Sequence, residues 1–247
     1  MSSWRDRPLI GVDTETTGTD VESARVVTAC VVRWGGWMPT VSRTWLSDVG
    51  GEEIPAEATA IHGVGTEAAR AAGRPAPEVI VELVTILVEQ VRAGMPLVAM
   101  NAAFDFTVLD RECARYGIPS LFDVVEPRII DPHVLDKRVD RYRKGGRRLA
   151  DLCRHYRVPL ENAHEAEADA VAACGVAWEI GGRYPWIGNR HPDRLHTDQA
   201  KWARDQAEGL RDWFAASSDP EKAALAPGVR LDWPFIPRPR TDAEGEE

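Results

Sequence analysis

The sequence predicts an α/β protein: a five-stranded mixed sheet flanked by helices, followed by a helical and irregular C-terminal extension. Three observations carry this. Strand-like segments follow one another at the start, helical and strand-like patterns alternate in the middle, and the texture changes after Gly181-Gly182.

Leu9 to Val12 is a short apolar run after Pro8 and reads as the first strand. Ala24 to Trp34, rich in valine, and Met38 to Leu46 read as the second and third, with Gly35-Gly36 as the turn between them. Thr66 to Ala72 and Val79 to Arg92 read as helices; in the latter Val79, Leu83, Ile86, Leu87 and Val91 recur at helical spacing, and Gly94 follows as a stop. Pro96 to Met100 is a fourth strand, Phe104 to Tyr116 a helix ended by Gly117, and Arg128 to Ile130 a short fifth strand. Leu149 to Tyr156 and Ala166 to Ile180 read as helices. Residues 1–182 are expected to form one domain, with 183–247 an extension carrying a helix over about 198–214 and a proline-rich tail that ends in acidic residues.

The chain of 247 residues is 44% hydrophobic, which places it among globular proteins and outside the disordered class. No stretch approaches ~18–20 uncharged apolar residues, so no membrane association is expected. The first residues lack the apolar region of a secretory signal, so a cytoplasmic location is expected. Cys30, Cys113, Cys153 and Cys174 form no close pair, and buried reduced thiols are the expectation. A net charge of −9 argues weakly against a nucleic-acid partner, but carboxylates that bind cations and a local cluster of basic residues would reconcile the two.

Three short patterns carry chemistry. Asp13-Thr14-Glu15-Thr16-Thr17-Gly18 follows the first strand, and residues two apart on a strand share a face, so Asp13 and Glu15 project together. Two adjacent carboxylates repel, and a divalent cation resolves the conflict; for a bare pair, two solvated acids at a strand end is the default reading. Asn101-Ala102-Ala103-Phe104-Asp105 follows a strand and opens a helix, where Asp105 on its own is an ordinary first-turn acid. His164 and Asp169 lie five residues apart, about 140° off register on a helix. They converge only if His164 sits on the loop before the helix and Asp169 lies on the inward stripe beside Ala172, Ala173 and Val176.

Together, in this order, the three patterns resemble the DEDDh exonucleases, the group that includes the proofreading subunit of bacterial replicative polymerase. The likeness runs from about Arg7 to Ile180, and Ile61-His62-Gly63-Val64 resembles the family's hydrophobic-His-Gly element. The resemblance implies a ribonuclease-H-like fold and two divalent ions, Mg²⁺ or Mn²⁺, held by Asp13, Glu15, Asp105 and Asp169. It implies that His164 deprotonates the attacking water, a role suited to an imidazole that ordinarily titrates near pH ~6.5. The products would be nucleoside 5′-monophosphates. Thr16, Ile61, His62, Asn101 and Phe104 would hold the terminal nucleotide by contacts tolerant of base identity. Asp131, where relatives often carry Asp, is expected to support Asp105 or the sheet end.

The stretch Lys137, Arg138, Arg141, Arg143, Lys144, Arg147, Arg148 contains one acid, Asp140. It is expected to contact the phosphate backbone, with Arg143 and Lys144 as the leading residues. The DTETTG string is closest to relatives that proofread DNA, so single-stranded DNA 3′ ends are the expected substrate and a polymerase or other replication or repair protein a possible partner. RNA 3′ ends or short oligoribonucleotides stay open as the alternative, with a non-catalytic binding module as a third reading.

Overall fold

The computed structural model describes residues 3–161 and 163–238; Pro239, Arg240 and the acidic end of the tail lie outside the described residues. Pro8–Thr16 (β1), Val26–Gly35 (β2) and Val41–Leu46 (β3) form an antiparallel meander, as expected. Three helices follow: α1 (Ala56–His62), α2 (Thr66–Ala72) and α3 (Ala76–Arg92). Leu97–Val98 (β4) then leads into α4 (Ala102–Arg115) and α5 (Leu121–Val124), and Ile129–Ile130 (β5) into α6 (Pro132–Val139), α7 (Leu149–Tyr156) and α8 (Ala166–Arg183). The chain continues through α9 (Pro185–Gly188), α10 (Pro192–Ala215) and α11 (Pro220–Ala223). The sheet order is β3-β2-β1-β4-β5, with β4 and β5 parallel to β1. The C-terminal ends of three parallel strands therefore lie together at one edge, where open α/β sheets place their ligands.

Alternation along β1 divides the core. Ile10 and Val12 face one layer with α3 and α4, including Leu83, Leu87 and Phe106. Leu9 faces the other, with α6, α7, α8 and α10. All four cysteines are free and buried. Among the described residues no helix is long and apolar enough to cross a membrane.

Two features set the distances at the functional edge. The first is Gly11 in the middle of β1. A methyl group there would sit 2.6 Å from Val32 Cγ1, 2.7 Å from the Ala170 carbonyl oxygen and 2.9 Å from Cys174 Sγ. The missing side chain lets α8 lie directly on the strand, and the alanines of α8 complete the close fit. Asp169, one residue before Ala170, is thereby held against the strand that carries Asp13 and Glu15.

The second is the outer edge of β5. An exposed strand edge presents unpaired N–H and C=O groups. Here α10 satisfies them with side chains: His196 Nδ1 accepts from the Ile129 N–H (3.1 Å), Gln199 Nε2 donates to the Ile129 carbonyl (3.0 Å), and Gln199 Oε1 accepts from the Asp131 N–H (2.8 Å). Burial lowers the pKa of His196, which keeps it neutral and able to accept. The last described segment crosses α4. Phe235 stacks on Phe122 at 3.9 Å, the Ile236 N–H donates to Thr107 Oγ1 (2.8 Å), and Arg111 donates to the Ile236 carbonyl (3.1 Å).

Gly11→Ala is expected to lower the unfolding free energy by about 1–3 kcal/mol or more, because backbone and not only side-chain atoms must move. Urea denaturation of the two chains measures it; an unchanged midpoint would show that α8 does not depend on this close approach.

Candidate active site

The site is assembled at the C-terminal edge of β1. Asp13 and Glu15 stand on the α8 face of the strand, and a register shift between Glu15 and Thr16 ends the ladder with β2 beside them. Thr14 faces the opposite layer, where it meets Asp105: Asp105 Oδ1 accepts from both the Thr14 N–H (3.0 Å) and Thr14 Oγ1 (2.8 Å). Asp105 is 4% exposed, in the first turn of α4. Each acid of the first pattern thus has its place set by strand alternation, and Asp105 by a bond to the residue between them.

The start of α4 is built in an unusual way. Asn101 occupies the N-cap with φ of 61°, a left-handed conformation that asparagine tolerates better than most residues, yet its side chain does not cap the helix. Asp131 does so from the end of β5. Its Oδ1 accepts from the Asn101 N–H (3.1 Å) and its Oδ2 from the Ala102 N–H (3.0 Å). The same carboxylate accepts from the His133 N–H (2.9 Å) and from Trp233 Nε1 (3.1 Å). Asp131 is 1% exposed and holds together β5, α4, α6 and the C-terminal strap. With capping done elsewhere, the exposed Asn101 amide is left to face solvent or a ligand.

Asp169 lies in the first turn of α8, with its backbone N–H bonded to the Glu165 carbonyl. His164 sits on the preceding loop with φ of 71°, and its N–H donates to Asp169 Oδ2 at 3.4 Å. This positive φ removes the off-register problem of a five-residue spacing. One ligand atom each from Glu15, His164 and Asp169 lies within 4.8 Å of the others. Asp169 Oδ1 is buried and has no hydrogen-bond partner. From α1, His62 reaches the same edge. Gly63 ends that helix with φ of 78°, and His62 Nδ1 accepts from the Val64 N–H (3.2 Å). Its proton is therefore on Nε2, which lies toward the Thr16 carbonyl and near His164 but completes no hydrogen bond. Burial lowers the His62 pKa, so the ring is neutral at pH 7. Ile61 is 56% exposed and Phe104 is half-buried against the α3–α4 core, while Thr16 Oγ1 donates to the Gly18 carbonyl (2.8 Å).

The electrostatics of the four acids point one way. Burial, then the charges of Asp105, Asp169 and Glu15, raise the Asp13 carboxyl well above the ordinary carboxylate range. Burial, then Asp169 and Asp105, push Glu15 to about 7. Burial lifts Asp105 to about 7 against the pull of its Thr14 hydrogen bonds, with Asp131 adding to the rise. Burial also raises Asp169 against the opposing His164 N–H. No lysine or arginine contributes to any of these shifts. Crowded oxygen donors, one of them buried without a partner, fit hard divalent cations such as Mg²⁺ or Mn²⁺.

The basic stretch divides. Arg143 donates to buried Asp136 (2.8 Å), which also binds Arg147 and accepts from Tyr156 Oη (2.8 Å); Arg143 therefore anchors the loop after α6 to α6 and α7. Lys144 is exposed. Sequence reasoning missed Trp233 and Gln199 as supports of Asp131. The Asp131-Pro132 pair, an N-cap residue followed by proline at the first helical position, was the available signal for α6.

The mixed sheet thus brings acids from three motifs together at one edge. Residues 10–177 match the RNase T exonuclease family, and the chain belongs to that family of DEDD exonucleases. Solved structures share the fold. Escherichia coli exonuclease I in complex with a dA16 oligonucleotide aligns with a TM-score of 0.62 at 18% identity over 80% of this chain and 44% of that one. Its complex with dT13 aligns at 0.58 and 18%, over 73% and 42%. Exonuclease I of Methylocaldum szegediense aligns at 0.58 and 19%, over 85% and 46%. The chain thus spans less than half the length of these structures. No curated protein sequence matches it.

Trp233→Phe keeps the ring and removes one donor to Asp131. It is expected to cost about 1–2 kcal/mol of stability and to lower kcat, because the start of α4, from which Asp105 projects, loses part of its anchor. Steady-state kinetics beside thermal unfolding measure both; an unchanged kcat would show that Asp131 holds Asn101 and Ala102 without the strap.

Proposed function

We propose that this protein is a DEDDh-type 3′→5′ exonuclease that hydrolyses phosphodiester bonds at single-stranded DNA 3′ ends and releases nucleoside 5′-monophosphates. The observation that carries the reading is the convergence of Asp13, Glu15, Asp105 and Asp169 at one sheet edge, with His164 beside Glu15 and Asp169. Asp13, Glu15, Asp105 and Asp169 would hold two Mg²⁺ or Mn²⁺ ions, whose charge would stabilise the negative charge that develops on the phosphoryl oxygens.

The chain's own residues supply the rest. His164 is exposed on its loop and takes a proton from the attacking water, then returns it to solvent. The leaving 3′ oxygen of the shortened strand collects a proton from solvent. The unused Nε2–H of His62 and the Asn101 amide are donors for the terminal nucleotide, whose sugar and base lie against Ile61 and Phe104 beside Thr16. Apolar contact of this kind does not read base identity, as a non-specific exonuclease requires. Lys144 meets the backbone phosphates, and Arg143, through its ion pair with Asp136, sets the loop that presents it. The choice of single-stranded DNA is supported by the shared fold of exonuclease I, whose structures hold dT13 and dA16.

The test uses 5′-labelled single-stranded DNA with Mg²⁺ or Mn²⁺, beside Asp13→Ala, an EDTA control and RNA of the same sequence. A ladder shortening from the 3′ end is expected, with Asp13→Ala slowed by more than the roughly 10²-fold typical of an outer-shell change. Activity that survives EDTA or Asp13→Ala, or label released first as a mononucleotide, would contradict the reading; faster loss of the RNA would reassign the substrate.

A further inference from the structure

The helix that follows Asp131 carries a second surface away from the carboxylates. Along α6 and the loop after it, Lys137, Arg138, Arg141 and Arg147 form one wall of an open groove of about 330 Å³. The other wall is α10, with Trp202. Arg147 is bound to Asp136. Among the described residues, Lys137, Arg138 and Arg141 have no carboxylate within ion-pair distance, and Asp205 is the only acid lining the groove. Lys137 is half-buried at the base of the wall, where burial and then the neighbouring Arg147 lower its pKa, so this ammonium gains from any anion that enters.

The aromatic content of the groove is as informative as its charge. Arg138 lies over the Trp202 ring at 5.2 Å, and Trp202 meets Trp186 edge to face at 5.8 Å. Trp186 is 45% exposed, in an adjoining hollow of about 510 Å³ that shares Arg138 and Trp202 with the first. Trp202 is buried and backs Arg138 and Trp186, which leaves Trp186 as the exposed ring; cations beside an exposed aromatic face hold single-stranded nucleic acid, cations on phosphates and the ring on a base. One wall of the groove starts close to the carboxylates. α6 starts at Asp131, the residue that caps α4, and Arg138 lies about 10 Å further along the helix axis. The face formed by α10 lies outside residues 10–177 that match the exonuclease family.

We infer that the groove between α6 and α10 binds the single strand 5′ to the terminal nucleotides, through Lys137, Arg138 and Arg141 on phosphates and the exposed Trp186 on a base. The inference rests on the proposed exonuclease reading for its direction along the strand. It gives the acidic protein a local basic path for its substrate and makes activity depend on strand length.

The test is the pair Arg138→Glu/Arg141→Glu, both at exposed positions, with Arg92→Glu/Lys222→Glu as a control of equal charge change. In the Asp13→Ala background, anisotropy of a fluorescent oligonucleotide of about sixteen nucleotides reports binding without cleavage. The groove pair is expected to weaken it about tenfold or more and to flatten the slope of log K against log salt by about 1.4, while the control pair does neither. In the active chain, the ratio of kcat/KM for that oligonucleotide to kcat/KM for a trinucleotide is expected to fall by a similar factor. Equal affinities and salt slopes for the groove and control pairs, or an unchanged length ratio, would overturn the inference. Loss of binding in the groove pair, from a chain that degrades no oligonucleotide, would uphold the groove and overturn the exonuclease reading instead.

Discussion

Four carboxyl groups share one edge of the sheet, where His164 alone offsets part of the charge of Asp169 and neither lysine nor arginine is among the causes of their shifts, and the architecture is arranged to keep them there. Asp13 feels all three of the others, and Glu15 and Asp105 are lifted to about 7. Left to electrostatics alone these groups would separate or stay protonated. They stay together because they project from three rigid elements, Asp13 and Glu15 from β1, Asp105 from α4 and Asp169 from α8, whose positions are set by contacts remote from the charges. The strain is local and electrostatic, and a bound divalent cation would relieve it.

Two contacts carry most of this positioning. Gly11 lets α8 approach the strand so closely that no side chain fits between them, which brings Asp169 alongside Asp13 and Glu15. Asp131 replaces the missing N-cap of α4 and fixes the turn from which Asp105 projects. Asp131 is itself held by Trp233, and its N–H by Gln199. The segment beyond the family match thereby becomes part of the scaffold of the carboxylate cluster.

The strands and the main helices were legible because their apolar periodicity is strong: α3 carries a long buried stripe, and α7 falls on the expected residues. β4 is shorter than expected, since the chain turns at Asn101 to meet Asp131. α1 and α6 escaped notice. α1 has only one fully buried residue, Ala58, and α6 mixes buried apolar positions with charge, so neither shows a clean stripe. The acids and His164 were legible as motifs, but the left-handed turn at His164 that brings it to Asp169 has no signature in composition. Nor does the burial of Asp136, which separates Arg143 and Arg147 from basic neighbours that look alike in sequence. Trp233 carried no signal because its partners, Asp131 and His196, lie far from it along the chain.

Without a cation the clustered acids destabilise the folded chain above the pH at which they ionise. Glu15 and Asp105 hold a proton more tightly in the folded chain than in the unfolded one, where carboxyls titrate near ~4. The stability this lends is complete below the unfolded value and is lost as pH rises to about 7. Thermal unfolding of the wild-type chain and Asp13→Asn between about pH 5 and about pH 8, in EDTA and in Mg²⁺, measures it directly. In EDTA the variant should become progressively more stable than the wild type as pH rises, and Mg²⁺ should reverse that order by stabilising only the wild type. A difference that does not change with pH, or a wild-type Tm indifferent to Mg²⁺ and Mn²⁺, would contradict the account.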